Sequence, residues 1–318
     1  MTKHKISIVV PVYNCTAWLE ECVNSILDQD VPVNFETQIV LVDDGSTDNS
    51  GEKCDVLADG QDNIVVIHQS NRGVSVARNE GIKASDGDWI CFVDGDDVLK
   101  NGAFKILENQ NVAGCDIVRY GAYIFGENSR LASFGKKYSS DKDEYIKLVV
   151  RRTAMLGVWG AFYKRKLFFE NDIFFQQGVR IGEDWMILFK LLLKAKSFIY
   201  VNQDLYGYRM NDCSVTRKLV STVRPDALIA LNYILDFAKA NNYPVTKRDI
   251  AIARSDIRRN MMKEAILNRN KAFFKETDEA IGTYAPQSFW KDVLYSRKIK
   301  HKIGFIIYWL FFLWYKMK

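Results

Sequence analysis

Two acidic turns, each placed where an apolar run ends, are the residues of this chain best suited to chemistry. Gln38–Val42 runs into Asp43-Asp44-Gly45-Ser46-Thr47-Asp48, and Trp89–Val93 runs into Asp94-Gly95-Asp96-Asp97. Short, β-rich apolar runs bounded by turn residues predict buried strands of a parallel sheet. Ligands of such sheets bind beyond the carboxyl ends of the strands. Two carboxylate clusters on one edge repel each other unless a cation lies between them. A hydrated divalent metal carrying a diphosphate supplies that charge. Octahedral Mg2+ takes one or two protein carboxylates and completes its shell with phosphate and water. Asp94, Asp96 and Asp97 would then divide three tasks: ribose hydroxyls, metal, and loop geometry. The plainer reading of the same residues is an Asp-Gly turn.

Three further stretches offer residues suited to chemistry. Pro11-Val12-Tyr13-Asn14 ends the first strand, where Tyr13 can stack on a nucleobase and Asp44 can accept a base N–H. The competing reading is a Pro-terminated strand with a surface Tyr. Arg78 and Asn79 lie on a helix pointing at that edge, where Arg78 neutralises acids or phosphates, or forms a structural salt bridge. Gly182-Glu183-Asp184-Trp185 opens a helix. The helix dipole alone favours carboxylates there. The functional reading is a general base, because a carboxylate taking a hydroxyl proton in the transition state contributes roughly 10²–10⁴-fold.

The elements that position these residues follow from periodicity. Ile6–Val10 predicts a strand, and Trp18, Leu19, Cys22, Val23, Ile26 and Leu27 a helix with Thr16 as its N-cap. Then come a helix near Ser50–Ala58, a strand at Ile64–His68, a helix near Val74–Ala84, and strands at Trp89–Val93 and Asp116–Tyr123. This alternation predicts a parallel, doubly wound α/β sheet. From Ile124 to Arg217 the pattern is mixed, apart from a helix at Glu183–Lys194. After Val220 it is helical: Ala227–Ala240, Ile250–Asn268, Lys271–Ile281 and the tail.

Several classes are disfavoured. GxGxxG after the first strand is absent, against nicotinamide and flavin Rossmann domains, and GxxxxGK[ST] is absent, against P-loop NTPases. A sugar nucleotidyltransferase needs a Gly-rich, Arg/Lys-bearing loop where Pro11–Asn14 stands. Of the net charge of +5, the seven basic residues and one acid between Lys291 and Lys318 account for +6. The rest of the chain therefore carries about −1, which disfavours nucleic acid as a partner. The six cysteines form no CxxC pair and suit reduced thiols in a cytosolic protein.

Taken in order, VVPVYN (Val9–Asn14), VDDGSTD (Val42–Asp48), NRGVSVARNEGI (Asn71–Ile82), FVDGDD (Phe92–Asp97), VWGAFYKR (Val158–Arg165), GEDW and YRMNDCSVT (Tyr208–Thr216) resemble the family-2 glycosyltransferases, which have the GT-A fold. The match covers about Ile6 to Thr216. The resemblance implies a GT-A domain over residues 1–217, with a nucleotide-sugar-binding half (1–123) and an acceptor-side half (124–217), followed by a helical C-terminal region (218–318). It implies that Pro11, Tyr13 and Asp44 hold the nucleobase, that Asp94 and Asp96 are the ribose and metal-diphosphate carboxylates with Asp97 sharing the role, and that the metal is Mn2+ or Mg2+. Asp184 would be the base with Glu183 beside it, and Arg209 and Ser214 would lie on a loop closing over the diphosphate. Ala161 departs from the Lys or Asn that relatives often carry. The QxxRW motif of processive synthases is missing, which implies addition of a single sugar.

The expected activity is metal-dependent, inverting transfer from a nucleotide-sugar, a UDP-sugar first, to a hydroxyl of a polyprenyl-linked or surface glycan precursor. The alternative is a non-catalytic nucleotide-sugar-binding or membrane assembly subunit. Ile303–Tyr315 is uncharged, holds seven aromatic residues and is flanked by basic ones. As a helix it would be about 20 Å long at ~1.5 Å per residue, short of the ~30 Å hydrocarbon core. It reads as a monotopic anchor (299–318) holding a cytoplasmic protein to the inner membrane surface. Packing on the protein or on a partner is the other reading.

Overall fold

The computed structural model describes residues 3–126, 132–133, 138–179, 181–210, 226–267 and 279. Ser214, the helix expected near Lys271–Ile281 and the 299–318 tail lie outside them.

Strand and helix alternate as far as Phe92: β1 (His4–Val12), α1 (Leu19–Leu27), β2 (Phe35–Asp43), α2 (Ser50–Ala58), β3 (Ile64–His68), α3 (Val74–Ala84) and β4 (Trp89–Phe92). Shorter elements follow: β5 (Val98–Leu99), a 3-10 turn at Phe104–Glu108, α4 (Gln110–Ala113), β6 (Ile117–Phe125), β7 (Ala132–Ser133), α5 (Lys142–Val150), β8 (Ala161–Lys164), α6 (Lys166–Phe169), α7 (Glu183–Lys194) and β9 (Phe198–Arg209). Two long helices come next, α8 (Asp226–Ala240) and α9 (Lys247–Leu267).

The strands form one sheet in the order β3-β2-β1-β4-β8-β6-β9-β5, with β7 on β6. β1 to β4 are mutually parallel neighbours. β8 runs antiparallel to both β4 and β6, β9 is parallel to β6, and β5 is reversed again. The sheet is thus mostly parallel and flanked by helices, as the alternation predicts. From β1 through β2 to β3 the chain winds outward in one direction. It then crosses back to place β4 on the other side of β1. Right-handed crossovers therefore put α3 on the face opposite α1 and α2, and the winding reverses between β1 and β4. Doubly wound sheets bind ligands at that reversal.

The central strands are buried on both faces. Val40, Val42 and Ala77 are fully buried, with Ile67 and Ala84 packed on them, which seats α3 on the β2 face. A Cβ built at Gly81 would lie 2.3 Å from Val9 Cγ1, so α3 approaches β1 more closely than any larger residue allows. Thr16 does not cap α1. The helix starts three residues later, where Trp18 occupies the cap position without a side-chain bond and Cys15 C=O accepts from Trp18 and Leu19 N–H. Thr16 N–H is instead drawn to Asp48 Oδ2 at 3.3 Å.

The chain divides into two compact units. The first comprises Met1–Ile146, Leu156–Gly178 and Glu183–Asn211, and holds the whole sheet. The second comprises Lys147–Met155, Val179–Gly182 and Asp212–Lys318. In it Arg151 pairs with Asp249 at 2.5 Å, and Asp256 takes Arg259 at 2.6 Å and Arg152 at 3.4 Å. Thr246 Oγ accepts from Asp249 N–H at the start of α9.

Candidate active site

The parallel register carries the ends of β1, β2 and β4 to one edge of the first unit. Val93 N–H donates to Val9 C=O at 3.1 Å, and Asp44 N–H to Val12 C=O at 2.9 Å. The turn that follows each strand is held by side chains. Asn14 adopts a left-handed conformation (φ 49°) and its Oδ1 accepts from Thr47 N–H at 2.8 Å and Asp48 N–H at 3.3 Å, tying the β1 end to the 45–48 loop. Asp44 is buried. Its Oδ1 accepts from Gln69 Nε2 at 2.5 Å and Arg72 N–H at 2.8 Å, and its Oδ2 from Gly73 N–H at 2.8 Å. A carboxylate has about four lone-pair sites, so one on Oδ2 remains for a further donor. Pro11 is half-buried beside it, while Tyr13 is 45 % exposed, with its ring free to stack.

The second acidic turn is fastened from β9. Tyr206 Oη donates to Asp97 Oδ2 at 2.6 Å and accepts from Asp94 N–H at 3.1 Å. Arg209 N–H donates to Asp97 Oδ1 at 2.8 Å, and Arg209 Nε to Asp96 C=O at 2.7 Å. Arg209 Nη2 reaches Glu21 at 2.6 Å, and its guanidinium lies over the Phe125 ring. Asp97 is fully buried with both oxygens engaged by protein, whereas Asp94 and Asp96 are half-buried. Burial, followed by the charges of Asp96 and Asp94, holds the Asp97 carboxyl far above the usual carboxylate range. The smaller, electrostatic part of this rise is the mutual repulsion expected of three acids in four positions. Among the described residues no group of three or more His, Cys, Asp or Glu side chains is gathered to hold a metal ion alone. The hard oxygens of Asp94 and Asp96 fit Mg2+ or Mn2+ that draws its remaining ligands from phosphate and water.

Arg78 joins this turn to the start of α7. Its guanidinium donates from Nη2 to Asp94 Oδ1 at 2.8 Å and from Nη1 to Asp184 Oδ1 at 2.7 Å, with Glu183 Oε1 at 3.8 Å. Phe175 lies beneath it at 5.3 Å. Asn79, the next residue, grips the Phe175 backbone twice, Nδ2 to C=O at 3.0 Å and Oδ1 from N–H at 2.8 Å. Burial opposes the Arg78 charge, but Asp184, Asp94 and Glu183 outweigh it and raise its proton affinity. Burial, then the neighbouring Asp184 charge, pushes Glu183 up to about 8. Burial also raises Asp184, against the pull of Arg78.

The sequence reading left several of these residues unassigned: Tyr206, Trp159, Glu21, Gln69 and Phe175. Tyr206 stacks on Trp159 at 4.7 Å and 16°. Its signal was available, since Tyr206 and Tyr208 alternate along one strand. Glu21 and Gln69 carry no such pattern.

The raised carboxyls give a pH dependence with a definite sign. Glu183 keeps its proton in the folded state up to about 8 but loses it near its ordinary value of 4.5 when unfolded. Folding therefore takes up a proton between those limits, and stability is greatest below them and falls as pH rises toward 8. His68, raised by its bonds to Asp43 and Asp55, contributes in the same direction above its usual 6.5. The melting temperature should fall between pH 5 and pH 8.5, and Glu183→Gln should flatten that slope. An unchanged slope in the variant would assign the effect to other groups.

A mostly parallel sheet with carboxylates at its winding reversal is the architecture of the GT-A glycosyltransferases. A family model described as Glycosyl transferase family 2 matches residues 7–187, more than half of the chain, and the chain belongs to that family. It is 34% identical over 218 residues to the uncharacterized glycosyltransferase EpsJ of Bacillus subtilis, a match covering 66% of this chain and 62% of EpsJ. The chain thus spans a little under two thirds of that relative. Among solved structures, S. aureus TarS 1-349 in complex with UDP-GlcNAc is similar with a TM-score of 0.57 at 19% identity, over 96% of this chain and 79% of TarS 1-349. The mannosyltransferase PcManGT of Pyrobaculum calidifontis, in complex with GDP-Man and Mn2+, is similar with a TM-score of 0.50 at 16% identity, over 99% and 88%.

Proposed function

We propose that this protein is a metal-dependent, inverting glycosyltransferase. It moves one sugar from a nucleotide-sugar, a UDP-sugar first, to a hydroxyl of a lipid-linked or surface glycan precursor. The observation that carries this reading is the Arg78 bridge, which sets the acidic turn and the α7 carboxylates on opposite sides of one guanidinium. A nucleotide-sugar has the matching polarity, with a diphosphate for the turn and a reacting carbon for the carboxylates.

Pro11, Tyr13 and Asp44 hold the base, Tyr13 by stacking and Asp44 through its remaining lone pair. Asp94 meets the ribose, and Asp96 with Asp94 holds Mn2+ or Mg2+. Once bound, the cation supplies charge to the departing diphosphate. Asp97 was expected to share the metal role; engaged by Tyr206 and Arg209, it instead fixes the turn's shape. Arg209 serves the diphosphate by exchanging Glu21 for it, with Ser214 beyond the described residues as a second contact. Arg78 holds Asp184 at Oδ1, so the carboxylate is oriented before the acceptor arrives. Asp184 then takes the proton of the acceptor hydroxyl as that oxygen bonds the anomeric carbon. The bond from that carbon to the diphosphate oxygen breaks on the opposite face. Burial makes Asp184 a stronger base than an exposed aspartate, which suits this step.

A thermal-shift panel of nucleotides tests the donor site. UDP with Mn2+ should raise the melting temperature by several degrees, as a ligand at 100 times its Kd stabilises by about 2.7 kcal/mol. Asp96→Asn or EDTA should remove the shift. No response to any nucleotide with metal present would reject the reading. Among the described residues no helix is long and apolar enough to cross a membrane. We assign attachment at the cytoplasmic face to the basic, aromatic tail, so deletion of residues 299–318 should move the protein from the membrane pellet to the supernatant. Unchanged fractionation would reject the anchor.

A further inference from the structure

One fully buried cation stands apart from the contacts described so far. Arg119 projects from the middle of β6 and is 0% exposed. Among the described residues it has no carboxylate within ion-pair distance. Its guanidinium donates to backbone carbonyls: Nη1 and Nη2 to Gly157 C=O at 3.1 and 3.0 Å, and Nη2 to Trp159 C=O at 3.3 Å. Nη1 also meets Tyr163 Oη at 3.2 Å, and Tyr163 in turn donates to Val158 C=O at 2.8 Å. All three carbonyls of the Gly157–Trp159 loop are thus held from one side. A buried charge without an opposite partner is costly, and for packing alone an apolar side chain of this size would serve.

The loop touches both halves of the site. The Val158 backbone N–H lies close enough to the Asp184 carboxylate to lower its proton affinity. The Trp159 ring stacks on Tyr206, whose hydroxyl holds Asp94 N–H and Asp97. Gly157 leaves no room for slack, because a Cβ there would fall 2.4 Å from the Trp159 ring. The structure assigns Arg119, we propose, as a positioning residue. It fixes the Gly157–Trp159 loop so that Val158 N–H aims the Asp184 carboxylate while Trp159 braces the acidic turn. The Arg119 charge also acts on Asp184 through space, lowering its proton affinity against burial. This inference rests on the reading of Asp184 as the base.

The test uses the full-length protein, with nucleotide release from a donor as the readout. Arg119→Lys keeps a cation but lacks the planar fork that spans two carbonyls. It should lower kcat about 10–100-fold with the donor KM changed by less than about threefold, roughly the cost of misaligning one catalytic group. Tyr163→Phe, which removes the bond to Val158 C=O and the acceptor for Arg119 Nη1, should lower kcat in the same direction by a smaller factor. Arg119→Lys should cost much less in the Asp184→Asn background than in the wild type, because the loop acts mainly through that carboxylate. A purely structural Arg119 would show multiplied losses in the double variant, or a rise in KM to match the fall in kcat; either overturns the proposal. Should Arg119→Lys not fold, full activity in Tyr163→Phe overturns it equally. If Asp184→Asn abolishes turnover and both loop variants are active, the inference fails alone. If Asp184→Asn is itself active, the reading of the base fails and takes the inference with it.

Discussion

Asp184→Asn should lower kcat for sugar transfer by about 10²–10⁴-fold, the usual contribution of a positioned base, and leave the donor KM nearly unchanged. The substitution keeps the shape of the side chain and an oxygen for Arg78 Nη1, now 2.7 Å from Asp184 Oδ1. It removes the capacity to take a proton, together with the negative charge that faces Arg78. Glu183→Gln should cost far less, because Glu183 stands 3.8 Å from Arg78 and retains its own proton up to about 8. The pair of variants therefore separates a base from a charged neighbour. Release of nucleotide from a donor and acceptor mixture reads it directly. Equal loss in both variants would transfer the role to the pair, and a wild-type rate in Asp184→Asn would remove it from this helix. A non-catalytic binding or assembly subunit would turn over in neither the wild type nor the variant.

Arg78→Met should produce the largest fall in stability of any single change in the site. The guanidinium is buried and stands between Asp94, Asp184 and Glu183. Its removal leaves carboxylates facing one another out of water, and breaking a buried pair in this way costs about 3–5 kcal/mol. For a unit of this size that is a drop in melting temperature of roughly 6–20 °C, at about 2–4 °C per kcal/mol. The deficit should shrink at pH 5, where the stranded acids take up protons. It should also shrink when Asp184→Asn is added, since the two changes act on one contact. Calorimetry of the four proteins completes that cycle, and a fall of less than about 2 °C would show that the bridge is not a stability element.

Legibility in the sequence divided along physical lines. The boundaries of α3 and α7 matched the apolar period, and the acidic turns fell at strand ends because buried parallel strands are continuous apolar runs. Thr16 misled because a good capping residue is only a candidate until the backbone chooses where the helix starts. Here Cys15 C=O takes the first turn's N–H groups and the start shifts to Leu19. β8 escaped notice because four residues, Ala161–Lys164, are too few to show a period, and the strand runs against its neighbours. The sequence placed Arg78 at the sheet edge and Asp184 at the start of a helix but could not pair them across the 106 positions that separate them. Such a pair exists only once the sheet has closed. The buried role of Asp97 was hidden for the same reason, since its partners Tyr206 and Arg209 come from β9.

Gly81 gives the bridge its reach. It lies three residues beyond Arg78 on α3, where a methyl group would meet Val9 Cγ1 at 2.3 Å. Any side chain there would act as a shim, lifting the helix from the strand and drawing the guanidinium back from both acids. The tolerance of this contact is therefore set by an atom that is missing, and enlarging that position would detune the site without altering a single charge.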